Sequence, residues 1–155
     1  MIPESLPFPE LTPGRRFDTA TAGGFLFRGG RVLLEKRSVR ALLSPGLWDT
    51  PGGKLQEDEA PEEALCRELR EELGIQVLRF RLGTAADEEV PREEGPPLLC
   101  RHFEYIVLEW KGEPKPLEGQ ELSWIPIEQA GNLKEVNPLT ARALDIFLHQ
   151  GWIRT

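Results

Sequence analysis

The chain has 155 residues, 39% of them hydrophobic and 29% charged, with a formal net charge of −7. That balance fits one globular unit and excludes a disordered chain, while the acidic surplus argues against binding long nucleic acids through displaced counterions. No apolar run approaches the roughly 18–20 residues that span a bilayer, so no membrane partner is expected.

Proline at positions 3, 7, 9 and 13 predicts an extended arm over residues 1–16, ahead of a single domain over 17–155. The start, MIPESLPFPELTPGRR, has neither a basic head nor an apolar signal core, which predicts a cytoplasmic protein. Its two cysteines, Cys66 and Cys100, lie in apolar segments and read as buried thiols. Thr19 to Phe27 and Val32 to Arg37 read as strands joined at Gly29-Gly30. Leu42 to Gly53 reads as a loop in which Trp48-Asp49-Thr50 form one short strand. A helix follows, with proline and acids in its first turn (Glu59-Ala60-Pro61-Glu62-Glu63), a body from Ala64 to Leu73, and Gly74 to end it. Ile75 to Leu82 and Leu98 to Trp110 read as strands, and acidic, proline-bearing Ala86 to Pro97 as a mobile loop between them. Leu122 to Ile125 reads as a short strand. Pro138 to His149 closes the chain as an amphipathic helix with Leu139, Ala143, Ile146 and Phe147 on one side. Strands alternating with helices predict an α/β unit.

The chemistry concentrates in Gly52-Gly53-Lys54-Leu55-Gln56-Glu57-Asp58-Glu59 and in Arg67-Glu68-Leu69-Arg70-Glu71-Glu72-Leu73-Gly74-Ile75. At i, i+3 and i+4 on a helix, Glu68, Glu71 and Glu72 share a face, beside an apolar stripe of Leu65, Cys66, Leu69 and Leu73. Three like charges side by side oppose the helix, and a divalent cation among them would remove that conflict. Glycines ahead of the helix let backbone groups approach a phosphate or an ion.

With Gly53, Glu59, Arg67, Glu68, Leu69, Glu71, Glu72, Gly74 and Ile75 at their required spacings, the segment resembles the Nudix signature at every position. The resemblance implies an α/β/α sandwich with a mixed central sheet. It also implies a hydrolase that splits a diphosphate linkage in a nucleotide, with magnesium, or manganese in its place, as cofactor. Glu68, Glu71, Glu72 and the Gly52 carbonyl would hold the metal, and Arg67 would orient the carboxylates, spanning Glu59 and Glu68. Gly53, Glu59 and Gly74 would shape the motif. The catalytic set would be Glu71, Glu72 and Arg67 with a base from the loop Leu117-Glu118-Gly119-Gln120-Glu121, which resembles the mobile acid of MutT-type enzymes. Glu118 matches it first and Glu121 second.

Pro51-Gly52-Gly53-Lys54 resembles the MutT-like, nucleoside-triphosphate branch, implying an NMP and pyrophosphate as products, from canonical or oxidised substrates. Lys54 would bind substrate. Asn137 would meet a purine edge, and its other reading is a cap for the last helix with Pro138 as first residue. Trp48, Phe27 and Phe103 read as stacking partners for a base or as core residues. Pro91, sixteen residues beyond Ile75, resembles ADP-ribose-cleaving relatives and keeps ADP-ribose as the alternative. A catalytically silent nucleotide-binding module is the alternative of another class, disfavoured by the intact carboxylates. A monomer and a homodimer are both compatible with the sequence.

Overall fold

The computed structural model describes residues 16–41 and 45–154. The proline-rich arm lies outside the described residues apart from Arg16. Strand β1 (Thr19–Arg28) turns through Gly29 and Gly30 into β2 (Arg31–Lys36). Both glycines have positive φ, 58° and 72°, as a two-residue hairpin turn with right-handed strand twist requires. The segment read as one short strand is two: β3 (Trp48–Asp49) pairs with β2, and β4 (Gly52–Lys54) crosses to pair with β1. Gly52 makes that crossing. Its φ is 154°, and a Cβ there would lie 2.1 Å from the Ala22 carbonyl oxygen. Because the obstacle is backbone, Gly52→Ala is expected to destabilise the fold by about 2–4 kcal/mol, read as a lower urea midpoint.

Helix α1 (Pro61–Leu73) begins at proline, with Glu62 and Glu63 in its first turn, and stops at Gly74, whose φ of 72° is left-handed. Its buried face is Ala64, Leu65, Leu69 and Leu73. Cys66, expected in that stripe, is only half-buried, one step around the helix, whereas Cys100 is buried. Strand β5 (Gln76–Val90) runs antiparallel to β6 (Leu98–Lys111), and β6 runs parallel to β1, which makes the sheet mixed. The mobile loop expected from Ala86 shrinks to residues 91–97. Acids that suggested a loop are cross-strand partners instead: Asp87 bonds the Arg101 guanidinium at 2.8 and 3.1 Å, and Glu88 stands across from Cys100. Strand β7 (Glu121–Pro126) pairs with β2, and a short α2 (Ile127–Ala130), absent from the sequence reading, follows it.

Helix α3 (Pro138–His149) has the expected bounds but is rotated from the expected face. Thr140, Ala143, Leu144 and Phe147 are buried, while Leu139 and Ile146 sit at the margins. The sheet divides two apolar cores. Phe25, Val32, Leu34 and Ile106 pack with Ala143, Leu144 and Phe147 of α3, whereas Ala22, Leu26, Leu33, Tyr105 and Val107 pack with Leu65, Leu69 and Leu73 of α1. This is a helix–sheet–helix sandwich, as the resemblance implied. Among the described residues no helix is long and apolar enough to cross a membrane.

Candidate active site

The β4–α1 connection turns the signature into a network. Arg67 donates twice to Glu59 (Nε–Oε2 2.7 Å, Nη2–Oε1 2.9 Å), once to Glu68 Oε1 (2.8 Å), once to Glu71 Oε2 (3.2 Å) and once to the Lys54 carbonyl (2.9 Å). The Glu59–Arg67 pair is forked, a geometry only guanidinium supplies to a carboxylate. It draws the Glu59 carboxyl down to about 2, through the Arg67 bonds first and the Gln56 amide second. Gly53 makes room for the partner acid: a Cβ there would lie 2.5–2.6 Å from the Glu68 carboxyl atoms.

Glu72 points the other way, accepting the Gly52 N–H at 2.9 Å. Its carboxyl is pushed up to about 9, by burial first and by the neighbouring Glu35 charge second. Glu35 on β2 is itself buried, which pushes it up to about 7. Burial also raises Glu68. This corner therefore holds more buried negative charge than the protein neutralises.

The loop bearing Glu118 is strapped onto the end of α1. Lys115 and Leu117 donate their amides to the carbonyls of Leu73 and Glu72, each at 3.0 Å, satisfying helix-end acceptors. Gln120 clips it further. Its side-chain oxygen accepts the Glu118 N–H at 3.0 Å, and its amide donates to the Glu72 carbonyl at 3.1 Å and, at 3.5 Å, to Glu35 Oε2.

A cavity of about 440 Å³ opens beside this corner. Of the residues singled out in the sequence, Gly52, Gly53, Lys54, Glu68, Glu72, Glu118 and Asn137 line it. Arg67, Glu59, Glu71 and Gly74 do not, and Glu71 is exposed on the outer flank with Arg67. Glu121, the first residue of β7, stands across from Lys36 of β2 and is exposed. Trp48 corrects the substrate-binding expectation: it lies outside the lining and packs on the α3-side core. Its backbone nevertheless brackets the site, since Trp48 N–H donates to Glu135 and Trp48 C=O accepts the Asn137 N–H at 2.9 Å. Phe27 and Phe103 are core residues on opposite faces. Pro91 is exposed and away from the lining.

Asn137 caps α3. Its Oδ1 accepts the Leu139 N–H at 2.9 Å and its amide donates to Asp49 Oδ2 at 3.0 Å. Asp49 also accepts from the Thr140 hydroxyl (2.6 Å) and the Thr50 N–H (2.7 Å). Sequence reasoning did not assign the polar lining residues Thr21, Arg37, Asp49, Thr50, His102 and Glu104 to the site. His102 Nδ1 and Thr21 Oγ1 are hydrogen-bonded at 2.7 Å, while its Nε2 stands 3.7 Å from Glu88, beyond hydrogen-bond reach. Burial works against a charged His102 ring, but Cys100 and Glu88 outweigh it and raise the group. Thr50 Oγ1 donates to Glu104 at 2.9 Å. The Glu104 carboxyl is pushed up to about 8, by burial first and Asp49 second.

Among the described residues no three acids, histidines or cysteines already converge on a metal-binding point. The donor chemistry still suits a hard divalent cation: carboxylate oxygens of Glu68 and Glu72, under-neutralised, beside glycine backbone.

An acid-bearing helix set behind a glycine strand, on a mixed sheet covered by helices on both faces, is an architecture shared with known proteins. Residues 18–146 match the model of the NUDIX domain, so the chain belongs to the Nudix family. Its relatives make it a MutT-like Nudix hydrolase. It is 37% identical over 121 residues to an 8-oxo-dGTP diphosphatase of Haemophilus influenzae, across 78% of this chain and 84% of that one. It is 33% identical to a CTP pyrophosphohydrolase of Escherichia coli, across 66% of this chain and 72% of that protein. Among solved structures, the MutT NUDIX hydrolase of Burkholderia pseudomallei superposes with a TM-score of 0.70 at 32% identity, covering 82% of this chain and 95% of that one.

Proposed function

We propose that the enzyme hydrolyses a nucleoside triphosphate, oxidised forms included, to the nucleoside monophosphate and pyrophosphate. One observation carries the reading: a single cavity joins the acids of α1 to Asn137 at the start of α3, so one ligand can touch both. Water adds to phosphorus, the anhydride P–O bond breaks toward pyrophosphate, and the water's proton passes to a carboxylate. Glu118, exposed at the cavity mouth on a loop tied to α1, is the candidate base. Glu68 and Glu72, with the Gly52 carbonyl and Glu71 from the rim, would hold magnesium or manganese. When bound, such an ion supplies neutralisation of phosphate oxygens and a lower pKa for the attacking water. Arg67 keeps Glu68 and Glu71 aligned, and Lys54 lies in reach of a phosphate. Asn137 and its Asp49 partner present polar atoms to a base. The thiols of Cys66 and Cys100 suit a reducing cytoplasm.

The test is a product assay with magnesium and with chelator, over canonical and oxidised nucleoside triphosphates, ADP-ribose and dinucleoside polyphosphates. Magnesium-dependent release of monophosphate and pyrophosphate from a triphosphate is expected. AMP with ribose phosphate as the main products would replace this reading with ADP-ribose cleavage.

A further inference from the structure

The cavity has an inner wall that phosphate chemistry does not use. Side chains alternate across a strand. Ala22 and Leu26 of β1 face α1 and Phe25 faces α3, which puts Thr21 and Gly23 on the α3 side. On β6, Tyr105 and Val107 face α1 and Ile106 faces α3, which puts His102 and Glu104 on the α3 side. By the same alternation Glu35, two residues beyond Leu33, lies on the α1 side, toward Glu72. Glu104 therefore stands on the α3 side of the sheet, whereas Glu68 and Glu72 reach the cavity from α1.

Glu104 occupies a niche built for it. β1 and β6 place Gly23 opposite it, and a Cβ on Gly23 would lie 2.6 Å from Glu104 Oε2 and 2.7 Å from Thr50 Oγ1. Asp49, adjacent to Thr50, is tied to Asn137 and Thr140 at the start of α3. Two carboxyl groups at this end, Glu104 and Asp49, present acceptor oxygens beside His102. They welcome an uncharged heterocycle that offers N–H donors. Building on the nucleoside-triphosphate reading, we propose that Glu104 is a specificity-determining residue that pairs with the guanine-type edge of a purine bound on the α3 side of the sheet.

The choice of edge follows from donor counting. An ionised carboxylate only accepts, and guanine offers it N1–H and N2–H side by side. A protonated carboxyl donates once and accepts once, and guanine offers O6 beside N1–H. Guanine and its oxidised forms thus satisfy Glu104 in both protonation states. Adenine offers a donor beside an acceptor and satisfies only the protonated one.

The experiment compares wild type, Glu104→Leu and Glu104→Gln on dGTP, 8-oxo-dGTP, dATP, dCTP and dTTP with magnesium. It also measures dGMP and dCMP binding by calorimetry in chelator, after melting curves establish folding. Glutamine keeps a donor beside an acceptor, and leucine keeps neither. E104L is expected to raise KM for the guanine nucleotides about tenfold or more, with kcat changing far less, and to lose the preference for dGMP over dCMP. E104Q is expected to keep tight guanine binding but to narrow the discrimination against dATP and dCTP, since adenine and cytosine also offer a donor beside an acceptor. Equal losses of kcat on every nucleotide, or a guanine preference surviving in E104L, would overturn the assignment. If E104L does not fold, Glu104→Ala makes the same comparison. A folded wild type that hydrolyses no triphosphate defeats the proposed function instead, and monophosphate binding then decides the role of Glu104 on its own.

Discussion

Glu72→Gln is expected to cut kcat/KM by about a hundredfold or more, while its melting temperature in chelator equals or exceeds that of wild type. Glutamine preserves size, and its amide oxygen can still accept the Gly52 N–H that Glu72 accepts at 2.9 Å. A role confined to pinning the glycine strand would therefore survive the change. A negative charge would not survive it. The wild-type carboxyl is pushed up to about 9 by burial and by Glu35, so without a cation its charge works against the fold. Removing that charge relieves the folded state and disables the site together. Steady-state rates on the substrate found in the panel, set beside melting curves, check both halves. Near-wild-type turnover would remove Glu72 from the catalytic set, and a lower melting temperature in chelator would show that its main work is structural.

The sequence was most legible where the chemistry is local. Gly53 to Ile75 holds the helix start, the acids, their arginine and the stop glycine within one run, and spacing alone puts Glu68 and Glu72 on one face. The α3 bounds were legible for the same reason, since Asn137-Pro138 is a start signal. What was missed depends on pairing between distant strands. Glu35 and Glu104 reach the site only because β2 meets β3 at Glu35–Asp49 and β1 meets β6 at Gly23–Glu104. One signal existed. In Leu33-Leu34-Glu35, alternation puts the acid on the same buried face as Leu33, a costly place for a charge without a purpose. Asp87 and Glu88 misled in the opposite sense: charge density suggested a loop, whereas across β6 those charges meet Arg101 and His102. Trp48 carried two readings from sequence, stacking partner or core residue, and its place over the α3-side core fits the second.

In chelator, the melting temperature is expected to fall as pH rises from about 5 to 9, and magnesium to restore it progressively more toward the alkaline end. Burial pushes Glu35 to about 7, Glu104 to about 8 and Glu72 to about 9, all above their ordinary 4.5, and raises Glu68 as well. Between 4.5 and these values the folded chain binds protons that the unfolded chain has lost. Stability from each group is thus complete below 4.5 and drains as pH climbs through its raised value. His102, also raised, acts in the same sense over the upper part of the range. Glu59 carries the opposite sign, because Arg67 draws it down to about 2. Its contribution is present above 4.5 and vanishes only in stronger acid, so it leaves the slope between 5 and 9 untouched. For a chain of this length each kcal/mol moves the midpoint by about 2–4 °C, and a decline of several degrees is expected. A cation that binds only the folded state adds stability by mass action, about 2.7 kcal/mol at a hundred times its dissociation constant. Protons compete with it for Glu68 and Glu72, so the magnesium and chelator curves should diverge as pH rises and nearly meet near pH 5. Glu72→Gln should flatten the chelator curve and shrink the gap. Parallel curves, or a flat chelator profile, would mean that these carboxyls titrate as ordinary surface acids and that the cation site lies elsewhere.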